Sequence, residues 1–284
     1  MSSEAKPRAG ALFVVLAALL WSTGGAAIKY VEADGTVVAA TRCLIAGLTF
    51  LPFARLSRVR FSWKLVALLL SYPLMSACFV LANKWTTAMN AVAIQYTAPL
   101  WIFLAEVIFR VIKPTPRRAA PMLLAAAGIT LFLMEPAVGT SLKGNLAAIV
   151  SGIGFALVIA LFRALRDEHN LTLVSLSNLA TALALFPYIA HTGQVSQLRA
   201  LSLPGWSCLV YLGVFQIGLA YVLYSRGLRT VTALKASTIS LIEPVLNPAW
   251  AFIVMSETPS AYGMAGAAAI LAGVTVDAYL NRES

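Results

Sequence analysis

Charge is what this sequence has least of. Only 11% of its 284 residues are Asp, Glu, Lys or Arg and 60% are hydrophobic, against the roughly 25% charged of a soluble domain. That balance excludes a water-soluble fold and reads as a polytopic membrane protein. Histidine is scarce as well: His169 and His191 are the two, both outside the apolar runs. Neither a His-Glu-x-x-His metal motif nor a Gly-x-Ser-x-Gly elbow occurs, which leaves an intramembrane enzyme without a catalytic constellation. The three cysteines, Cys43, Cys78 and Cys208, lie inside apolar segments with no metal-ligand spacing. They read as free buried thiols. No catalytic residue, no metal and no cofactor is expected.

What is present is apolar sequence in span-length runs. With about 20 residues per crossing, ten spans can be laid out, roughly 11–31, 36–54, 65–83, 88–110, 118–135, 144–163, 171–190, 206–225, 231–254 and 260–280. The loops between them are too short for an extramembrane domain. Lys6 and Arg8 ahead of an apolar run imitate a signal peptide, but the run continues through Ile28 and reads as a retained first span. The net charge of +10 comes from basic clusters between the apolar runs, a footprint of membrane topology with no call for nucleic acid. With the N-terminus inside, fifteen Lys and Arg fall on the cytoplasmic side and four on the other. Both termini are therefore expected inside.

Slid against itself by 145 residues, the chain matches in one register: Ala88 with Ala233, Pro99 with Pro244, Pro114 with Pro259, Gly128-Ile129-Thr130 with Gly273-Val274-Thr275. Two repeats are expected, 1–137 and 138–284. Five spans in each, an odd number, inverts the second relative to the first. Inverted repeats are a transporter architecture with the substrate site near the midplane. The fold expected is an all-α integral membrane protein, ten transmembrane helices as two inverted five-helix repeats around a central cavity.

The stretch Thr232 to Glu257 organises the candidate site. Glu243 lies deep in it, where a carboxylate costs several kcal/mol, of order 2.5 to 3.5 on insertion scales for an acidic residue, unless it meets a cavity or a partner. Pro244 leaves one backbone carbonyl without its helical donor. Pro99 and Pro244 are thus candidate gating hinges. Glu243 stays open between a protonated acid, a contact for a substrate ammonium, a proton-coupling site and a hydrogen bond to the freed backbone. Ser240, Glu243, Asn247 and Trp250 share one face by spacing, as do Asn90, Thr97, Trp101 and Leu104. Gln95 and Tyr96 lie beside the second stripe, and Gln216 and Asn178 lie mid-span. Trp21, Tyr72, Tyr96, Trp101, Phe155 and Tyr221 are central aromatics, expected as a cavity wall because their polar atoms need protein or water. Trp63, Trp85, Trp206, Tyr262, Tyr188, Tyr30 and Tyr279 read as interfacial anchors. The substrate-binding set expected is Trp21, Tyr72, Gln95, Tyr96, Thr97, Trp101, Phe155, Gln216, Ser240, Glu243 and Asn247. Arg42, Lys235 and Asp277 read as structural charges, Lys235 pairing with Asp277 and Arg42 reaching Glu32, Asp34 or Glu257. Small residues on the tenth span, Ala265, Ala269 and Gly273, with Ala120 and Gly128 on the fifth, mark a packed support behind the cavity.

Ten spans in two repeats, the Glu243-Pro244 pair, Glu257 before Thr258-Pro259, and Arg42 in the second span resemble the drug/metabolite transporter superfamily, EamA type. More narrowly the chain is similar to the YddG aromatic amino acid exporters. One departure is Ala98-Pro99 and Ile112 in the first repeat, where the second has Glu243-Pro244 and Glu257. The resemblance implies an exporter of aromatic and other hydrophobic amino acids in a bacterial inner membrane. The alternatives are export of other drugs or metabolites, a lipid scramblase, or a non-transporting membrane protein. Sparse midplane Lys and Arg argue against phosphorylated cargo. The partners expected are a small-molecule substrate and the lipid bilayer, no nucleic acid, with the chain acting as a monomer.

Overall fold

The computed structural model describes residues 5–134, 141–165, 167–227, 230–231 and 239–280, and every regular element among them is helical. The expected boundary between repeats, 137/138, and Lys235 lie outside the described residues.

The first helix is interrupted. α1 (Ala5–Ser22) gives way to α2 (Gly24–Tyr30) at Thr23, whose hydroxyl donates to the Leu20 carbonyl at 2.7 Å. α3 (Gly35–Phe50) follows, then α4 (Trp63–Trp85), capped where the Ser62 hydroxyl accepts from Leu65 N. The next helix is also broken: α5 (Ala88–Gln95), capped by Thr87, is separated from α6 (Ala98–Ile108) by Tyr96 and Thr97. Pro99 lies in the first turn of α6, where its missing N–H costs nothing. α7 (Pro116–Leu133), α8 (Leu142–Ala164) and α9 (Asn170–His191) are continuous. A short α10 (Val195–Ala200) leads to α11 (Leu203–Tyr211), a π-helical segment Leu212–Leu219 and α12 (Ala220–Gly227). α13 (Ile242–Met255) and α14 (Ala261–Leu280) complete the chain.

Seven helical stretches among the described residues are long and apolar enough to cross a bilayer; Ile242–Met255 and Ala261–Asp277 are shorter apolar helices. Leucines 12, 16 and 19 of α1 are exposed while Val14, Ala17 and Ala18 are buried. The apolar side chains thus continue outward past the core, as a hydrocarbon solvent requires and water forbids. Trp63, Tyr188, Trp206, Tyr262 and Tyr279 are exposed near helix ends, fitting the anchor expectation.

The closest partners are α4 with α8, α7 with α14, α3 with α9, and α1 with α12, while α13 packs against α1, α2 and α5. At one end Lys29 pairs with Glu257 at 2.6 Å and donates to the Thr86 carbonyl, and Glu257 accepts from Ala88 N at 2.9 Å. Ser256, in the left-handed region at φ 54°, ends α13 and turns the chain so that Glu257 N bonds the Ala251 carbonyl. Lys84 donates to the Val31 carbonyl and Lys143 lies 3.8 Å over the Trp85 ring.

α7 and α14 support the rest from one side, with a correction to the small-residue stripe. Their closest approaches involve Gly128 against the Gly266 carbonyl and Ile270, and Gly273 against the Pro121 carbonyl. Ala265 is exposed. The contact face of α14 therefore runs through Gly266, Ile270 and Gly273. Gly273 and Gly128 stand at the contact as expected, while Gly266 and Ile270 take the places given to Ala265 and Ala269, because the position facing α7 needs room for backbone.

Candidate functional site

A cavity of about 60 Å³ lies where the helix interruptions meet. Its wall is Trp21 of α1; Arg42 of α3; Tyr72, Met75, Ser76 and Phe79 of α4; Gln95 and Tyr96 at the α5–α6 break; Phe155 of α8; Gln216, Ile217 and Tyr221 of the π segment and α12; and Glu243 of α13. Most of these elements are irregular beside the cavity. Trp21 stands two residues before the Thr23 break, Pro73 lies inside α4 next to Tyr72, Gln216 sits in the π segment, and Glu243 is in the first turn of α13. Non-helical backbone at this depth is tolerated where it lines a wet cavity, and π segments concentrate at functional sites.

The rings form two groups. Trp21 meets Tyr221 edge-on with centroids 5.2 Å apart, and Tyr72 lies 6.3 Å from Tyr221. Tyr96 and Phe155, also in the wall, are 6.4 Å apart. Close approach of α2 to the π segment is needed to bring Gln216 in: a Cβ on Gly24 would stand 2.5 Å from Gln216 Nε2. Gln95 donates to Ser151 Oγ at 2.8 Å, and Asn178 donates to the Tyr72 hydroxyl at 3.3 Å.

Glu243 is buried, and its Oε2 lies 2.8 Å from the Tyr96 hydroxyl. The same hydroxyl lies 3.0 Å from the Ser240 carbonyl. Ser240 is four residues before Pro244, so this is the carbonyl that the proline deprives of a helical donor. The wall of one broken helix thereby satisfies the break in the other.

Several expected site residues are elsewhere. Thr97 is buried and donates to the Ile94 carbonyl at 2.6 Å; Trp101 Nε1 donates to Thr97 Oγ1 at 3.0 Å, and the Trp101 ring packs on the core formed with α7 and α14. Ser240 contributes its carbonyl to the Tyr96 contact and does not line the cavity. Asn247 donates to the Ser22 carbonyl at 3.0 Å, and Trp250 to the Ser22 hydroxyl. That face of α13 is a seam against α1, because the polar stripe begins at the cavity and leaves it within a turn. Pro99 and Pro244 each stand in the first turn of the helix that follows a break.

Arg42 requires a correction. Of its three expected partners, Glu257 is taken by Lys29, Asp34 accepts from Gln197, and Glu32 makes no contact with it among the described residues. Arg42 instead turns into the cavity wall, donating to Ser76 Oγ at 3.1 Å and to Gln216 Oε1 at 3.5 Å. Asp277 is half-buried with a partner of its own, while its expected pairing with Lys235 falls outside the described residues.

Met75, Ser76, Phe79 and Ile217 were absent from the expected set. The signal was there for three of them: with Tyr72 they fall at i, i+3, i+4 and i+7 on α4, one helical face.

The EamA-like transporter family model matches residues 8–134 and again residues 142–276. An uncharacterized transporter of Archaeoglobus fulgidus is 28% identical over 95% of this chain and 96% of its own length. The uncharacterized transporter YwfM of Bacillus subtilis is 26% identical over 93% and 92%, and the uncharacterized inner membrane transporter YicL of Salmonella typhimurium 25% over 84% of each. A solved crystal structure superposes at a TM-score of 0.63 with 20% identity, covering 96% of this chain and 98% of the other; the likeness is one of fold.

Proposed function

We infer cargo and mechanism from one premise: the chain belongs to the EamA-like transporter family and is a multi-pass membrane transporter. The cargo proposed is a small organic solute with an apolar body, aromatic and other hydrophobic amino acids first, exported by alternating access. The observation that carries the reading is the wall itself, rings of Trp21, Tyr72, Tyr96, Phe155 and Tyr221 around a cavity that also presents Glu243. Apolar walls with a few placed polar groups suit amphipathic ligands. The site, in this reading, grips the ring of the solute and meets its ammonium with Glu243.

Two inverted five-helix repeats, ten crossings in all, are proposed as the frame. The family matches the chain twice, once in each half. The packing pairs also exchange when the halves are swapped: α4 with α8 becomes α12 with α1, while α3 with α9 and α7 with α14 map onto themselves. Such exchange is what a two-fold axis between the repeats requires. A bacterial inner membrane fits the naming of YicL. The breaks at Tyr96–Thr97 and before Ile242, each followed by a proline, are the hinges on which the two mouths would alternate.

The test is counterflow of labelled phenylalanine, tryptophan and leucine in proteoliposomes, with flip of a labelled phospholipid measured in parallel. Uptake with no lipid flip is expected. Trp21→Ala and Tyr221→Ala should each lower uptake about tenfold or more, the loss of a good aromatic contact pair, and Trp63→Ala, at an exposed helix end, should not. Lipid flip without amino acid uptake would overturn the reading.

A further inference from the structure

We infer that Arg42 binds the carboxylate of the cargo, so that the cavity is built for solutes carrying one anionic and one cationic end. The inference rests on the proposed amino acid cargo for the apolar body alone. Arg42 is 3% exposed and its guanidinium stands in the cavity wall. Its contacts are neutral: Ser76 Oγ at 3.1 Å, Gln216 Oε1 at the 3.5 Å limit, and the Phe79 ring with its centroid at 5.8 Å. Nε has no partner. Guanidinium is always charged and carries five donors in a planar fork. A charged side chain at membrane depth is costly and marks a functional site or a partner, and among the described residues no carboxylate pairs with it. Glu243 is held by Tyr96, and Glu257 by Lys29 and Ala88 N.

A buried cation whose protein partners are all neutral, facing a cavity, is a place for the anion of a ligand. The anion is a monovalent carboxylate in preference to a phosphate ester. A single guanidinium leaves a dianion half-neutralised, and Glu243 in the same wall opposes the remaining charge. Carboxylate is also the shape that a guanidinium fork grips through two parallel N–H bonds.

The experiment measures stabilisation of the purified full-length protein against thermal unfolding by phenylalanine, 3-phenylpropionate (no ammonium) and phenylalaninamide (no carboxylate), with phenylalanine counterflow alongside. Phenylalanine should act at a concentration at least about tenfold below the amide, the value of one charge-assisted contact, and 3-phenylpropionate, which forgoes only the contact to Glu243, should bind through Arg42. Arg42→Gln should erase that preference and Arg42→Lys retain part of it. Ser76→Ala, which changes a contact of the guanidinium and keeps its charge, should move the acids' midpoint and leave the amide's alone. This holds the test open should Arg42→Gln not fold. Equal action of phenylalanine and phenylalaninamide on the wild type overturns the inference, as does a preference that survives in folded Arg42→Gln or an acid midpoint indifferent to Ser76→Ala. Arg42-dependent binding of 3-phenylpropionate without phenylalanine counterflow would sink the amino acid cargo and leave the role of Arg42 standing. Phenylalanine counterflow with no carboxylate preference would do the reverse.

Discussion

Tyr96 has one hydroxyl proton and two oxygens within reach of it, the Ser240 carbonyl at 3.0 Å and Glu243 Oε2 at 2.8 Å. With Glu243 ionised the proton cannot serve both. With Glu243 protonated the acid donates to the tyrosine and the tyrosine to the carbonyl, and both bonds are made. Glu243→Gln imitates the second state, since its amide N–H is a donor. Its thermal unfolding midpoint should equal or exceed that of the wild type, while counterflow falls because the cargo's ammonium loses its carboxylate. Tyr96→Phe removes the hydroxyl that both the Ser240 carbonyl and Glu243 contact, a cost of about 1–3 kcal/mol for a buried polar group that loses its partner, and should melt measurably lower. The reverse order of melting would show that the Ser240–Tyr96–Glu243 chain does not hold the break together. Much of this residue-scale chemistry was legible: the freed carbonyl beside Pro244 and the buried acid follow from two adjacent letters. Arg42 was not. α3 is buried continuously from Val37 through Cys43, so its sequence carries no periodic exposed face to say which way a side chain turns.

At the scale of the helix, the same interruptions that build the cavity defeated the counting of faces. Thr97 and Trp101 were grouped with Asn90 by helical spacing, yet Tyr96 and Thr97 lie between two helices. A 3.6-residue period does not carry across a break, so the residues after it turn toward α8 and α7 while Gln95 and Tyr96 stay at the cavity. The break at Thr23 makes a further prediction. Gly24 allows Gln216 to reach the wall, and an added methyl would stand 2.5 Å from its Nε2. Gly24→Ala should lower counterflow severalfold with helical content by circular dichroism unchanged. Gly205→Ala, whose nearest neighbour is the flexible end of Leu201 at 3.2 Å, should leave counterflow intact. Equal effects of the two would mean that the approach of Gln216 to α2 is not what Gly24 is for.

Across the whole molecule, the two ends differ in how they close. The end holding few basic residues, assigned outward by the charge asymmetry, ties three of them down: Lys29 to Glu257, Lys84 to the Val31 carbonyl, Lys143 to the Trp85 ring. The Lys29–Glu257 pair joins the end of α2 to the end of α13 and, through Ala88 N, to the start of α5. Under the proposed two-fold relation Ile112 occupies the place of Glu257 at the other end, so no equivalent ion pair can form there. Breaking the pair should therefore act on one mouth alone. Its two side chains are 15% and 21% exposed, between the surface case of about 0.2–1 kcal/mol and the buried case of about 3–5. A shift of about 1.4 kcal/mol changes a two-state population tenfold. In a background lacking Cys43, Cys78 and Cys208, with a cysteine at Ile217 as cavity reporter, Glu257→Gln should raise labelling by a membrane-impermeant thiol reagent from the outer face severalfold and leave labelling from the inner face no higher. Exchanging the charges, Lys29→Glu with Glu257→Lys, should restore part of the seal. Full restoration is not expected, because the lysine cannot accept from Ala88 N. Equal gains at both faces would mean that the pair holds the bundle together generally and does not latch one mouth.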